Sequence, residues 1–293
     1  MRCAHTVAPF ELAEPHTLSE AVALLNAGDV PVRAIAGGTA LMLMMKAGVF
    51  QPARLVSLRR VETRHAEITV TPDGGLSIGA MATLSSLARS AAVKQAAPVI
   101  TQTLKTLSNV RVRNVATIGG HLAHGDPHMD LPPVLTALGA QVRTLSPVGE
   151  RTRAVADLYT GYYETVLADN ELISEVIVPP QSGSLAAYLK ITTRAADDWP
   201  TLGIAVSLQM EADIVKAARI VVSAATNTPL RLEAAEQTLL GTTLDAVTLL
   251  RCGDAAVSSV ELAADAHGSS AYKRELLRVY TQRALRQALA VQL

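Results

Sequence analysis

The chain has 293 residues, 49% of them hydrophobic and only 3% aromatic, with 26 basic and 26 acidic side chains. That length suits two domains of roughly 100–200 residues, or one large one, with a core of Ala, Leu and Val. Zero net charge without a basic run gives no electrostatic footprint for nucleic acid or a membrane surface, and the longest uncharged apolar stretch, Ala34–Met45, falls short of the ~20 residues a bilayer span requires.

The opening segment MRCAHTVAPFELAEP lacks an apolar signal region and carries Glu11 and Glu14, so a cytoplasmic protein is expected. Thr17-Leu18-Ser19-Glu20 is a capping box; Leu18, Ala21, Val22 and Leu25 follow at helical spacing, and Gly28 closes the helix. Val32–Ala36 reads as a short buried strand. Thr39 is placed to cap a helix running through Met44 to Lys46, and Arg54–Leu58 reads as another strand. The first sixty or so residues thus form a small parallel strand–helix–strand–helix–strand unit. Ile68–Thr71 and Leu76–Ala80 flank Asp73-Gly74-Gly75 as a hairpin. A helical stretch runs from about Leu84 to Leu107, interrupted near Pro98. Gln141–Leu145 and Arg151–Val155 flank Pro147-Val148-Gly149 as a second hairpin, and Leu172–Val178 is a strand closed by Pro179-Pro180. Gln181-Ser182-Gly183-Ser184 is the best linker candidate. Three strands follow, Ala186–Thr192, Gly203–Met210 and Ala218–Ala224, and then mostly helical sequence from Arg231. The last helix, Ser270–Ala290, carries Tyr272, Leu276, Val279, Tyr280 and Leu285 at core spacing.

Two glycine pairs stand out. Gly37-Gly38 follows a strand and precedes a helix; Gly119-Gly120 follows Arg111, Arg113 and Asn114. Adjacent glycines permit positive φ and let main-chain N–H groups converge, and a helix beginning just afterwards adds its own free N–H groups. One such pair is often a bare turn. Two of them could hold a pyrophosphate from both sides. No GK[ST] follows either pair and no GxGxxG occurs, which excludes a Walker loop and a Rossmann fingerprint. A dinucleotide bound outside a Rossmann fold is what remains.

His121, His124, Asp126, His128 and Asp130 lie within ten residues. A tetrahedral metal site usually takes three or four protein ligands, and this Gly- and Pro-rich segment has no HxxxH on a regular helix and no second cluster to complete a shell. The segment reads better as a polar loop lining a cofactor, since His and Asp suit ribose hydroxyls and flavin edges. The two cysteines, Cys3 and Cys252, form no CxxC and read as free thiols, so neither a zinc ribbon nor an iron–sulfur cluster is built from them.

The stretch AIAGGTALMLMMKAGVFQPARLVSL resembles the first flavin loop of the FAD-binding medium subunits of bacterial molybdenum hydroxylases, relatives of carbon monoxide dehydrogenase and xanthine dehydrogenase. NVRVRNVATIGGHLAHGDPHMDLPPVLTALGAQV is similar to their second loop, and NELISEVIVPP, YLKITTRAADDWPTLGIAVSL and HGSSAYKRELLRVYTQRAL resemble their C-terminal domain. The resemblance implies an α+β chain: a two-part FAD-binding domain of the vanillyl-alcohol-oxidase-like type over residues 1–180, with subdomains of about 1–58 and 59–180, then a smaller α+β domain over 184–293 with a three-stranded sheet and helices. It implies FAD in this chain; because neither His121 nor a cysteine sits in a motif for flavin attachment, the FAD is expected to be bound without a covalent link. Partner subunits would carry the rest: a large one with molybdopterin and a small one with two two-iron clusters, assembled as a dimer of heterotrimers. By the same resemblance Ala34, Ile35, Ala36, Gly37, Gly38, Thr39, Ala40 and Leu41 wrap the pyrophosphate on one side, and Thr117, Ile118, Gly119, Gly120 and His121 hold it on the other. His124 and Asp126 line the loop, Asp130 contacts the sugar or ring system, and Ile173 and Lys190 lie against the flavin. Leu107 stands where the animal xanthine enzymes have an aromatic residue, His121 where Asn or Ser is usual, and Trp199 where bacterial relatives have Tyr or Phe.

FAD performs its own redox chemistry while protein supplies position and electrostatics; Lys190 is the candidate positive charge near the flavin N1–C2=O edge, against the plain reading of a solvated strand residue. Trp199, at a polar break between strands, suits stacking on a flat ring, against the plain reading of a packing residue. Two other readings are a stand-alone flavoprotein oxidase or dehydrogenase, for which the C-terminal segment offers no acid–base cluster, and a regulatory nucleotide-binding module without redox chemistry.

Overall fold

A computed structural model of the chain describes residues 7–28 and 30–290; Cys3 lies outside them. The chain begins with strand β1 (Glu11–Ala13), helix α1 (Leu18–Leu25), β2 (Val32–Ile35), α2 (Leu41–Lys46) and β3 (Arg54–Ser57). The three strands form a parallel sheet in the order β1-β3-β2. The capping box at Thr17 and Glu20 is present, and α1 buries Leu18, Ala21, Val22 and Leu25 in a core with Val56, Leu58, Val61 and Leu172. Strand β1 could not be located in the sequence because Glu11 and Leu12 are exposed and leave no alternation to read.

The middle of the chain holds β4 (Ile68–Val70), β5 (Leu76–Gly79), helices α3 (Leu84–Arg89), α4 (Ala91–Ala96), α5 (Pro98–Thr103), α6 (Val110–Arg113), α7 (Ile118–Ala123) and α8 (Leu131–Ala137), then β6 (Gln141–Ser146), β7 (Gly149–Ala154), the small hairpin β8 (Tyr159–Gly161) and β9 (Glu164–Thr165), and β10 (Leu172–Val178). Both expected hairpins are there, in one antiparallel sheet ordered β4-β5-β10-β6-β7. The expected helix over Leu84–Leu107 is instead three six-residue helices. Pro98 makes one break; the other is Ser90, whose hydroxyl accepts from Val93 N–H at 3.3 Å and caps α4.

Beyond Gly183, β11 (Ser184–Ile191), β12 (Leu202–Glu211), β13 (Ile214–Ser223) and β14 (Leu230–Arg231) form an antiparallel sheet, followed by α9 (Glu233–Gln237), α10 (Ala246–Ser258) and α11 (Ser270–Ala290). The sheet has four strands rather than the expected three, because Leu230–Arg231, expected to open the helical stretch, pairs with β13. Period-two alternation divides its faces. Leu185, Ala187 and Ile191 join the core beneath α10 and α11, while Tyr188, Ala205 and Val221 join the core of the middle sheet and its helices. The second face positions the candidate site.

Helix α11 is where the expected core stripe is wrong. Tyr272 and Val279 are exposed, Leu276 and Tyr280 are half-buried, and only Leu285 of the five is fully buried. The buried stripe is Lys273, Leu277, Thr281, Gln282, Ala284, Leu285 and Ala288. Polar residues enter it because each finds a partner: Lys273 Nζ donates to Asp265 Oδ2, outside the helix, at 2.6 Å, and Thr281 Oγ1 to Leu277 O within it at 2.7 Å. Helix α10 also presses close here; a Cβ on Gly253 would lie 2.7 Å from Arg278 O.

Candidate flavin site

The two glycine pairs meet in space. A Cβ on Gly37 would sit 2.1 Å from Val115 O and 2.8 Å from Ala116 Cα, so this glycine permits the first loop to press on the backbone of the second. Gly38 has φ +72°, which supplies the left-handed turn. Helix α2 then starts from Ala40, in helical geometry; Thr39 does not cap it, contrary to expectation, and no side chain does. The N–H groups of Gly37, Gly38, Thr39 and Ala40 donate to no group of the described chain. Four successive backbone donors are therefore available to an anion.

The second pair is built differently. Gly119 and Gly120 lie inside the first turn of α7, not before it, and neither has positive φ. Their amides are already used: Ile118 N–H donates to Ala82 O, Gly119 N–H to Ala80 O at 2.8 Å, Gly120 N–H to Thr117 Oγ1 at 3.2 Å, and His121 N–H to Thr117 O. The expectation of free helix-terminal donors at this loop is corrected accordingly. Gly119 exists for packing, since a Cβ there would lie 2.6 Å from Ala80 Cβ. Gly120 faces the first loop, with Ala36 Cβ 3.7 Å from where its own would be. What this loop retains is the Thr117 hydroxyl, which accepts from Gly120 and keeps its own proton to donate.

Past the second loop the chain enters a largely buried polar cluster. His121 is buried, and burial, aided by His124 and Lys190 nearby and opposed by Asp126, drives its pKa down to about 3. It is a neutral imidazole whose Nε2 is buried without a hydrogen-bond partner. His124 sits edge-on to Tyr163, ring centroids 5.1 Å apart, and burial lowers its pKa too. Burial would raise the Asp126 carboxyl, but His128 and the Tyr163 hydroxyl, donating at 3.0 Å to its two oxygens, hold it below the ordinary carboxylate range. Trp199 is 51% exposed, and its indole stacks on His128, centroids 5.2 Å apart and planes 12° from parallel.

Asp130 stands at the start of α8 and Lys190 on β11. Lys190 Nζ donates to Asp130 Oδ2 and to Thr106 O, both at 3.0 Å, with its side chain 6% exposed; it is not a solvated strand residue. Tyr188, two residues earlier on the same strand face, donates to Asp130 Oδ1 at 2.7 Å. Ser108, at φ +54°, turns the 106–108 segment so that Thr106 O faces Lys190 while Arg113 Nη1 takes the carbonyls of Leu107 and Ser108. Leu107 and Ile173 are buried in the core of the middle sheet and its helices. The two glycine loops also line a cleft of about 340 Å³ through Ala36, Val115 and Thr117, together with Arg59, Glu62, Met81 and Thr83. Sequence reasoning missed these last four and Tyr188. The cleft residues carry no motif, but Tyr188 and Lys190 at spacing two on one buried strand face were a readable signal.

Four loop amides without a partner among the described residues, a threonine hydroxyl with its proton still to donate and a buried imidazole nitrogen with no partner among those residues fit a dinucleotide cofactor. Residues 8–181 match the family described as the FAD binding domain in molybdopterin dehydrogenase, and residues 187–288 match the carbon monoxide dehydrogenase flavoprotein C-terminal domain. The chain is 33% identical to the carbon monoxide dehydrogenase medium chain of Hydrogenophaga pseudoflava, over 96% of this chain and 97% of that one. It superposes on the solved carbon monoxide dehydrogenase of that organism with a TM-score of 0.93 and 34% identity, covering 97% of this chain and 99% of the other. For quinoline 2-oxidoreductase of Pseudomonas putida 86 the TM-score is 0.91 at 28% identity, with the same coverage. With its FAD-binding domain, its C-terminal domain and full-length similarity to such medium chains, the chain belongs to the FAD-binding medium-subunit family of the molybdenum hydroxylases.

Proposed function

We propose that the chain is the electron-transfer subunit of a cytoplasmic molybdenum hydroxylase, built as a dimer of heterotrimers with a large molybdopterin subunit and a small subunit bearing two two-iron clusters. FAD, when bound, supplies the redox chemistry that joins those clusters to an external acceptor. The chain's own residues bind and orient it. In this reading the amides of Gly37, Gly38, Thr39 and Ala40 and the Thr117 hydroxyl receive the pyrophosphate, and the cleft bordered by Arg59 and Thr83 takes the adenosine half. Ala34, Ile35, Leu41, Ile118, Gly119 and Gly120 shape the two loops. His121, His124, Asp126, Asp130 and Lys190 face the ribityl chain and the ring, Leu107 and Ile173 give the ring an apolar wall, and Trp199 covers it from solvent. Residues 1–180 and 184–293 act as two domains meeting at Gln181–Ser184, and the second completes the site through Lys190 and Trp199. The observation that carries the reading is the contact of the two glycine loops beside the unpartnered His121 Nε2.

A visible spectrum of the purified protein tests it, together with mass identification of what copurifies. The expected result is a flavin spectrum, all of whose colour enters the supernatant on acid precipitation, and a large molybdenum partner. A colourless protein, or a flavoprotein that purifies alone from its native source, would refute it. Trp199 emission should be strongly quenched with FAD bound and recover when FAD is stripped. Emission indifferent to FAD would return the indole to a packing role against His128.

A further inference from the structure

The carboxylate of Asp130 is buried among charged and polar partners from other elements. Lys190 takes one oxygen at 3.0 Å and Tyr188 the other at 2.7 Å, while His121 lies close enough to Lys190 to feel its charge. Burial raises the Asp130 carboxyl and Lys190 and Tyr188 oppose that rise, so loss of either donor moves it further toward the neutral acid. Tyr188 is buried in the core, and its hydroxyl lies between Asp130 and the Ser223 side chain. Gly203, across the strand pair from Lys190, makes room for it. A Cβ there would lie 2.7 Å from Tyr188 Oη and 2.5 Å from Ser223 Oγ, although Gly203 has ordinary negative-φ strand backbone that alanine could adopt.

We propose that Tyr188 is a positioning residue for the flavin: its hydroxyl, seated in the space left by Gly203, holds the Asp130 carboxyl in place and so fixes the direction of the Lys190 ammonium. Two Lys190 hydrogens are committed, to Asp130 and to Thr106 O, and the third is left for the cofactor. The inference rests on the placement of Lys190 beside the flavin. It has a consequence that packing alone lacks. A hydrogen bond to the carboxylate favours its ionised form, so loss of that bond moves the protonation of Asp130 to higher pH.

The test uses the purified FAD-loaded complex, following the flavin visible spectrum and midpoint potential from pH 9 to pH 5 with far-UV circular dichroism as the fold control. Tyr188→Phe keeps the ring and removes the hydroxyl; Gly203→Ala keeps the hydroxyl and removes its seat. Both should shift the pH inflection of the spectrum and the potential to higher pH while the fold signal stays native. Inflections unmoved in both variants, beside an altered flavin in Asp130→Asn, overturn the inference alone. A flavin unchanged in Asp130→Asn and Lys190→Met overturns the placement of this pair at the cofactor and the inference with it.

Discussion

The two glycine pairs read alike in sequence and are built for different tasks. In the first, Gly38 takes a left-handed φ and four successive amides have no partner among the described residues; in the second, both glycines are helical and every amide from Ile118 to His121 is bonded within the protein. One loop offers donors. The other is a wall whose missing side chains let Ala80 and Ala36 approach it. A glycine pair therefore marks a place where backbone must come close to something, and only the neighbours say whether that is a ligand or another segment of the chain.

The largest effect that sharpens this contrast is on stability in acid, and it belongs to the second loop. His121 has its pKa lowered to about 3 in the folded chain, against 6.5 for a free histidine. Below pH 6.5 the unfolded chain takes up a proton that the folded chain refuses, so stability falls as pH falls, until about pH 3. The expected loss is about 3 kcal/mol between pH 7 and pH 4, and His124, lowered in the same direction, adds to it. Urea unfolding at the two pH values should show this slope in the wild type and a shallower one in His121→Asn; equal slopes would place His121 in contact with water. Next is Gly37→Ala, whose new Cβ meets Val115 O at 2.1 Å and must push the loops apart. It should cost about 3 kcal/mol by overpacking and weaken FAD retention, read by flavin fluorescence on dialysis, by roughly 100-fold. Gly38→Ala should cost ~1–2 kcal/mol, the strain of a left-handed residue with a Cβ, with a roughly tenfold loss of FAD affinity. The smallest effect is expected for Gly120→Ala. Its backbone is helical, so alanine adds about 0.5–1 kcal/mol of helix preference against a tight 3.1 Å approach to Thr117 Oγ1. An unfolding temperature near wild type and an FAD loss below about fivefold fit a wall. If Gly120→Ala releases FAD as completely as Gly37→Ala, the second loop meets the phosphate with its own backbone and the contrast between the loops is wrong.

A second contrast lies between the ends of the C-terminal domain. On strand β11, the placing of Lys190 between apolar residues pointed to a buried role that its ion pair with Asp130 explains. Helix α11 misled because its apolar residues spread around the helix. Its buried stripe includes Lys273, Thr281 and Gln282, and Lys273 is buried only because Asp265, outside the helix, meets it. The spacing within α11 does not mark the burial of Lys273, because the carboxylate that makes it possible lies outside the helix.

The sequence by itself determined the capping box at Thr17, both hairpins of the middle sheet and the family to which the two glycine loops belong. These rest on contacts between residues a few positions apart, and local spacing records them. Tertiary structure alone decided which loop keeps its amides free, that Ala40 rather than Thr39 opens α2, which face of α11 is buried, and that Asp130 meets Tyr188 and Lys190 across 58 and 60 residues of chain. Each of these depends on which distant group reaches a given donor, acceptor or charge first. Periodicity in one segment carries no trace of that competition, because the competing group belongs to another.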